Sequence, residues 1–270
     1  MDIVFVSLLV SLGINITMFV PAFIFKTDKI TDISYAVTFA VVSSFAFAKS
    51  SQDPLHTAVF GMVLLWSFRL GSFLFMRIQK MGKDKRFDDK RDRFFAFLGF
   101  WLLQGATVFV VMLAPLFAFK QQTTTFTVFS IVGIVLFFIG LILEATADAQ
   151  KFAFNNEPTN KDKWIDEGVW RLSRHPNYLG EMLVWIGMYL AVVSSLQGVD
   201  VFWALLSPLY IVLLLLFVSG IPLLEKAANK KWGTSSAYIQ YKKEVPVLLP
   251  TISSVKRYGQ RLPSKKGKTV

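Results

Sequence analysis

The sequence contains no cysteine and only two histidines among 270 residues. The lack of cysteine excludes a disulfide framework, a thiol nucleophile and a thiolate metal site. With so few histidines and no His-Glu-x-x-His motif, we predict no metal centre. Gly-x-Gly-x-x-Gly and Gly-x-x-x-x-Gly-Lys-Ser/Thr motifs are also absent, so a nucleotide would not be bound by a Rossmann or P-loop unit.

Charged residues are scarce as well. They make up 17% of the chain, whereas soluble domains carry about 25%. Hydrophobic residues make up 54%, including 27 Phe, and they form runs long enough to cross a bilayer, which takes about 20 helical residues. Because backbone groups in lipid must be hydrogen-bonded internally, these runs predict helices. The first run lacks a basic start and a cleavage site, so we predict a true span rather than a signal peptide.

We therefore predict an all-α integral membrane protein with seven transmembrane helices in one domain, residues 1–252. Residues 253–270 are basic and lack apolar periodicity, which predicts a disordered tail near anionic lipid. The predicted spans are approximately 3–25, 31–48, 55–78, 94–119, 126–147, 177–196 and 201–222.

The basic residues are distributed unevenly between the two sides of these spans. Of 29 Lys and Arg, 26 fall on one side, Lys49 and Lys120 on the other, and Arg69 within span 3. The positive-inside rule then places the N-terminus outside and the C-terminus in the cytoplasm. This topology accounts for the net charge of +11, so we predict membrane lipids and no nucleic acid as partners.

Four ionisable residues within or at the ends of spans are candidates for function. Asp32 opens span 2, either as a helix cap or as a catalytic acid. Arg69 in span 3 either serves a site or extends toward the membrane surface. Glu144 and Asp148 lie one turn apart near the end of span 5. They form either an interfacial salt-bridged pair or a contact for a cationic or hydrogen-bonding ligand.

The densest polar signal runs from Trp164 to Glu181. Gly168 predicts a turn, and Pro176 suits the first turn of span 6. Arginines before a positive helix end suit a phosphate-bearing ligand, and the alternative is a basic turn that contacts lipid head groups. The candidate binding residues of this segment are Arg171, Arg174, His175, Asn177, Tyr178 and Glu181.

The stretch from Gly168 to Glu181 resembles the bacterial branch of the steroid 5-alpha-reductase family. Two other stretches agree: the Glu144–Asp148 helix end, and Asp32 with Trp66, 34 residues further on. The resemblance covers spans 2 to 6 and implies a seven-helix, NADPH-dependent reductase, multi-pass in the bacterial inner membrane. Its implied substrate is a lipid with a conjugated enone, such as a 3-oxo-delta4-steroid.

In that family a carboxylate and a tyrosine polarise the enone carbonyl while hydride is added at the beta carbon. The matching positions here are Asp32 and Trp66, and Trp66 departs from the tyrosine. Tyr35, one turn after Asp32, is an alternative electrophile. The residues that the resemblance implies for NADPH are Arg69, Glu144, Asp148, Lys163, Arg171, Arg174, His175, Asn177, Tyr178, Glu181 and Tyr238.

A rival resemblance starts from the same Arg174–Gly180 segment. Membrane methyltransferases for isoprenylcysteine or phospholipid carry a similar segment and use S-adenosylmethionine. Their later Glu, Gly-x-x-Tyr-x-x-Tyr and Pro pattern is matched imperfectly by Glu225, Gly233, Tyr238, Tyr241 and Pro250. A channel or transporter is a third class, for which the spans contain too few charged residues. Neither the physiological substrate nor the oligomeric state follows from the sequence.

Overall fold

The computed structural model describes residues 2–81 and 91–259. Every regular element in these ranges is a helix. Short 3₁₀ helices lie at Pro158–Asn160, Gly168–Arg171 and Val193–Ser195, and a short π-helix lies at Leu214–Val218. The α-helices are α1 (Ile3–Ile24), α2 (Thr31–Ala48), α3 (Pro54–Met81), α4 (Phe94–Val111), α5 (Leu113–Lys120), α6 (Val128–Asn156), α7 (Pro176–Val192), α8 (Asp200–Leu213), α9 (Ile221–Trp232), α10 (Ser236–Glu244) and α11 (Ile252–Gly259).

Seven helical segments are long and apolar enough to cross a membrane, which confirms the predicted all-α, seven-span architecture. The protein is therefore a multi-pass integral membrane protein. The last segment, Asp200–Trp232, extends ten residues beyond the end predicted at residue 222. The inside–outside orientation stays a prediction.

The fourth predicted span, 94–119, is divided into α4 and α5 at Met112. Pro115 explains the break, because it has no N–H to donate to the carbonyl of Val111, four residues earlier. The hydroxyl of Ser207 donates to that carbonyl instead. A side chain from α8 thus satisfies the backbone group that the proline leaves without its helical partner.

The chain divides into two compact units. The first comprises Met1–Phe138 and Val184–Ile211, and the second comprises Ile139–Leu183 and Val212–Val270. In the first unit α2 packs on α3 and α1 packs on α4 and α2. Its core contains the edge-to-face pair Trp66–Trp185, with ring centroids 4.9 Å apart.

A buried amide network crosses the first unit between α1, α2 and α4. The Gln104 amide donates to Asn15 Oδ1 at 3.0 Å and to Ser34 Oγ at 2.9 Å. The Asn15 amide in turn donates to Thr38 Oγ1 at 3.3 Å and to the carbonyl of Ser11 at 2.9 Å. Hydrogen bonds of this kind hold helices together where water is excluded.

Helices α6 and α7 approach each other closely at glycines. In the first unit, a Cβ at Gly187 would lie 2.6 Å from the Gly133 carbonyl. In the second, a Cβ at Gly180 would lie 2.7 Å from the Gly140 carbonyl. The seven-residue spacing within each helix puts its two glycines on one face, so both contacts depend on the absence of a side chain.

Two sequence predictions fall partly outside the described residues. The loop after span 3, which carries eight basic residues, includes 82–90, and the predicted tail includes 260–270. Within the described part of that tail, residues 253–259 lie in α11, where the sequence predicted disorder. Arg257 accounts for the order, since it forms ion pairs with Asp166 and Glu244.

Candidate functional site

The second unit contains a cavity of about 280 Å³ between the end of α6, the loop before α7, and helices α9 and α10. The volume lies just below the usual range for ligand sites, about 300–1,000 Å³. Aromatic and basic side chains dominate its walls. The main lining residues are Lys151, Lys163, Trp164, Trp170, Arg174, His175, Glu225, Lys231, Trp232, Tyr238 and Tyr241.

The aromatic wall is built around Trp164. Its ring lies edge-on to Tyr238, with centroids 5.1 Å apart, and to Trp232 at 6.0 Å. Tyr238 and Tyr241 stand three residues apart on α10, which places both on one helical face. Trp232 is fixed by its indole N–H, which donates to the Asp162 carbonyl at 2.7 Å. The result is a preformed surface against which a planar ring can stack.

Glu225 of α9 is the centre of the cavity's polar side. Its carboxylate accepts two hydrogen bonds from Arg174, from Nε to Oε1 and from NH2 to Oε2, each at 3.1 Å. His175 Nε2 lies 3.0 Å from Oε1, and Lys242 Nζ lies 3.7 Å from Oε2. The paired Arg fork and carboxylate give this contact both strength and fixed geometry.

Arg174 also ties together the segments around it. Its NH1 donates to the carbonyls of Lys242 and Val245 at 3.1 and 3.2 Å, and its backbone N–H donates to the Pro246 carbonyl at 2.9 Å. Pro176 begins α7 directly after this segment, as predicted, since proline suits a first helical position. Arg174 therefore positions the cavity wall as well as lining it.

Burial determines the protonation of the residues here. It lowers the pKa of His175 below its ordinary value of 6.5, although the hydrogen bond and charge of Glu225 oppose the shift. Burial likewise raises the pKa of both Tyr241 and Tyr238. At neutral pH the cavity thus has a neutral imidazole and two neutral phenols. The buried Nδ1 of His175 finds no hydrogen-bond partner within residues 2–81 and 91–259.

Of the residues predicted to bind NADPH, four line this cavity: Lys163, Arg174, His175 and Tyr238. The other members from the second unit lie elsewhere in it. Tyr178 stacks on the His175 ring at 5.7 Å, and the Asn177 amide donates to Asp148 at 3.3 Å. Glu144 and Arg171 are buried, and Glu181 is half-buried.

Asp32, Tyr35, Trp66 and Arg69 belong to the first unit. The N-cap of α2 is Ile30 and Asp32 lies in the first turn, so Asp32 is not the N-cap residue, although its charge lies at the positive end of the helix dipole. Asp32 instead accepts a hydrogen bond from Arg77 of α3 at 2.9 Å.

The aromatic candidates of this unit are held by ring contacts. Trp66 is 1% exposed and packs on Phe39 and Trp185. Tyr35 packs edge-to-face on Phe39 at 5.0 Å, and Arg69 lies 5.7 Å from the centre of the Phe73 ring. The catalytic and cofactor roles of all four residues stay predictions.

The first unit also has a wide apolar groove, of about 630 Å³, between α2 and α3. Its lining residues include Ala36, Gly71, Phe68 and Phe75. The side chains of Asp32 and Trp66 are not among its lining residues. Its lining is mostly apolar, with the hydroxyl-bearing Ser67 and Ser72 as the polar members, so it offers contact for an apolar chain.

Several cavity residues were not among the binding residues predicted from the sequence. Trp164 marked only the start of the polar segment, Glu225 and Tyr241 entered only through the rival methyltransferase pattern, and Trp232 and Lys231 were not considered. A tryptophan within a strongly basic stretch is a usable signal, because neither a solvated tail nor a lipid-facing span explains it.

Residues 18–245 match a family described as a protein of unknown function, DUF1295. The chain belongs to the DUF1295 family. Every residue that lines the cavity falls inside the matched range, so the cavity is part of the DUF1295 region. Helix α11 lies beyond it.

A stretch of 69 residues is 30% identical to a probable O-methyltransferase, ustE, of Ustilaginoidea virens. That stretch makes up 26% of this chain and 24% of the relative, so the match spans about a quarter of the relative's length. No solved structure matches the chain. Within residues 2–81 and 91–259, no three His, Asp or Glu side chains form a group that could hold a metal ion.

Proposed function

We propose that this DUF1295 protein is an NADPH-dependent membrane reductase of a lipid that carries a conjugated enone. The observation that carries the proposal is the charge of the aromatic cavity. Lys151, Lys163, Arg174 and Lys231 line it, and Glu225 is the one carboxylate among the lining residues. Glu225 pairs with Arg174, and Lys231 pairs with Asp162 at 2.8 Å, so the cavity keeps an excess of positive charge. NADPH contains a pyrophosphate and a 2′-phosphate, whereas S-adenosylmethionine has a sulfonium cation and no phosphate. A basic aromatic cavity suits the phosphorylated nucleotide better.

The described residues fit such a group in two respects. Trp164, Trp232 and Tyr238 supply ring faces for an adenine, and the basic side chains at the cavity supply donors for phosphate. The volume of about 280 Å³ suits one nucleotide half rather than the whole dinucleotide. When bound, NADPH supplies a hydride for addition to the beta carbon of the enone.

The proposed acid, Asp32, would have to act from its ion pair with Arg77. Because Arg77 donates to Oδ2 at 2.9 Å, a hydrogen bond from Asp32 to a substrate carbonyl would have to come from a proton on Oδ1. We expect Asp32→Asn to abolish enone reduction without loss of NADPH binding. Wild-type turnover by this variant would remove Asp32 from the mechanism.

A second candidate, an S-adenosylmethionine-dependent methyltransferase, is favoured by one contact. The Arg174-His175 pair and Glu225, which belong to two separate stretches of the methyltransferase pattern, are hydrogen-bonded to each other. The partial likeness to a probable O-methyltransferase is consistent with this candidate. A lysine follows Glu225 where those enzymes usually have a second glutamate.

Calorimetric titration of the purified protein in nanodiscs separates the two candidates. We expect NADPH to bind, and Lys163→Gln and Lys231→Gln each to weaken it by about tenfold, the effect of losing one charge-assisted contact of about 1.4 kcal/mol. Lys226→Gln is the matched control, because Lys226 is an exposed lysine on the same helix as Lys231 and does not line the cavity. If S-adenosylmethionine bound and NADPH gave no heat of binding, the methyltransferase would replace the reductase as the proposed function.

A further inference from the structure

The C-terminal helix α11 and the segment before it expose a row of large apolar side chains. Leu249, Ile252, Val255 and Tyr258 are 67%, 79%, 54% and 49% exposed. They are spaced by three residues, so the three that lie on α11 share one side of the helix. A soluble surface would normally carry such residues singly rather than in a row.

Two other positions of α11, Ser254 and Arg257, are held against the rest of the second unit. Ser254 is buried, and Arg257 forms ion pairs with Asp166, next to the cavity residue Ile165, and with Glu244 at the end of α10. The Arg257 guanidinium also lies 5.8 Å from the centre of the Tyr241 ring. The helix therefore cannot turn its apolar row inward without breaking these contacts.

All the charged side chains of residues 251–270 are basic. Lys256 is exposed beside Ile252 and Val255, and no acidic residue occurs anywhere from 251 to 270. Four more basic residues follow α11 in the sequence, at 261, 265, 266 and 268. Arg257 has its charge satisfied within the protein, whereas Lys256 forms no ion pair within residues 2–81 and 91–259.

We propose that α11 is an interfacial helix that docks its apolar row onto an anionic lipid surface. A row of apolar side chains next to basic residues is the pattern of helices that lie in the head-group region. Anionic lipid supplies both the apolar layer and the negative charge. The helix begins 20 residues after the last candidate span ends at Trp232, so the chain holds it to the same bilayer. A soluble acidic partner would match the charge but not the apolar row.

Labelling tests the proposal directly, because the chain has no cysteine of its own. Ile252→Cys carries an environment-sensitive fluorophore on the apolar row, and Ser253→Cys carries it one residue away, off that row. Each protein is reconstituted in nanodiscs of phosphatidylcholine with or without phosphatidylglycerol, and the discs contain spin-labelled lipid as quencher. We expect the label at position 252 to be quenched by lipid more than the label at 253, and more strongly when phosphatidylglycerol is present.

A charge variant gives the size of the effect. With Ile252→Cys as the reporter, Lys256→Gln should lower the ratio of docked to undocked helix about fivefold in anionic discs, as expected for one cation at such a surface. It should have little effect in neutral discs. Equal quenching by lipid at positions 252 and 253 would overturn the proposal. The proposal would also be overturned if shielding of the label at position 252 depended on protein concentration rather than on lipid. That result would indicate contact with a second copy of the chain.

Discussion

Replacement of Glu225 by glutamine is the sharpest test of how the cavity is held together. The carboxylate accepts from Arg174 through both oxygens and contacts His175 through Oε1. The side chains of Arg174 and Glu225 are only 9% and 18% exposed. Glutamine keeps the shape but removes the negative charge, and its amide presents donors to the guanidinium. Breaking a buried pair in this way costs about 3 kcal/mol.

A loss of that size should lower the Tm by roughly 6–12 °C. The tryptophans that surround the cavity allow the transition to be followed by intrinsic fluorescence in detergent. Glu167→Gln is the matched control, because Glu167 is an exposed carboxylate just before the 3₁₀ helix Gly168–Arg171. In the double variant with Arg174→Gln, the loss should be smaller than the sum of the single losses, since both charges are then absent. If the Glu225→Gln and Glu167→Gln variants had the same Tm, the ion pair would not be what stabilises the cavity.

Three further perturbations test the fold and the site. Gly180→Ala should destabilise the protein by about 1–3 kcal/mol, because the new Cβ would lie 2.6 Å from the Glu144 backbone nitrogen. Gly61→Ala should have no such effect, since a Cβ there has nothing within 4 Å. Thermal melting of both variants checks this. Gln104→Leu should also lower the Tm, since it leaves buried oxygens without a donor, and an unchanged Tm would show the network to be dispensable. As the pH falls through 6.5, the unfolded state binds a proton at His175 before the folded state does, because burial lowers its folded pKa. Stability should therefore fall by up to about 1.4 kcal/mol per pH unit, and His175→Gln should flatten the dependence of Tm on pH.

The charged neighbours of His175 also affect its pKa, and therefore the expected dependence of Tm on pH. Glu225 raises its pKa, while Lys151 and Arg174 act with burial to lower it. An equally steep profile in the His175→Gln variant would assign the pH dependence to another group.

The membrane architecture was predictable because its signal is local. Seven apolar runs each satisfy their own backbone hydrogen bonds as helices, and no distant residue has to be known to recognise them. The start of α7 at Pro176 followed from the same kind of local rule. The division of the fourth span depended on both the local sequence and the tertiary structure. Pro115 weakens the helix locally, but Ser207 of α8 stabilises the freed carbonyl.

The site depended on contacts that no local pattern contains. Glu225 lies 51 residues from Arg174, and Trp232 lies 70 residues from the Asp162 carbonyl that holds its indole. Asp32 was expected to cap α2 or to act as an acid, and its contact with Arg77, 45 residues away, was not foreseen. Such pairs form because helix packing brings distant turns together, and their net stabilisation depends on that burial. The sequence by itself therefore determined that this is a seven-span membrane protein, and only the tertiary structure decided which polar residues share a cavity.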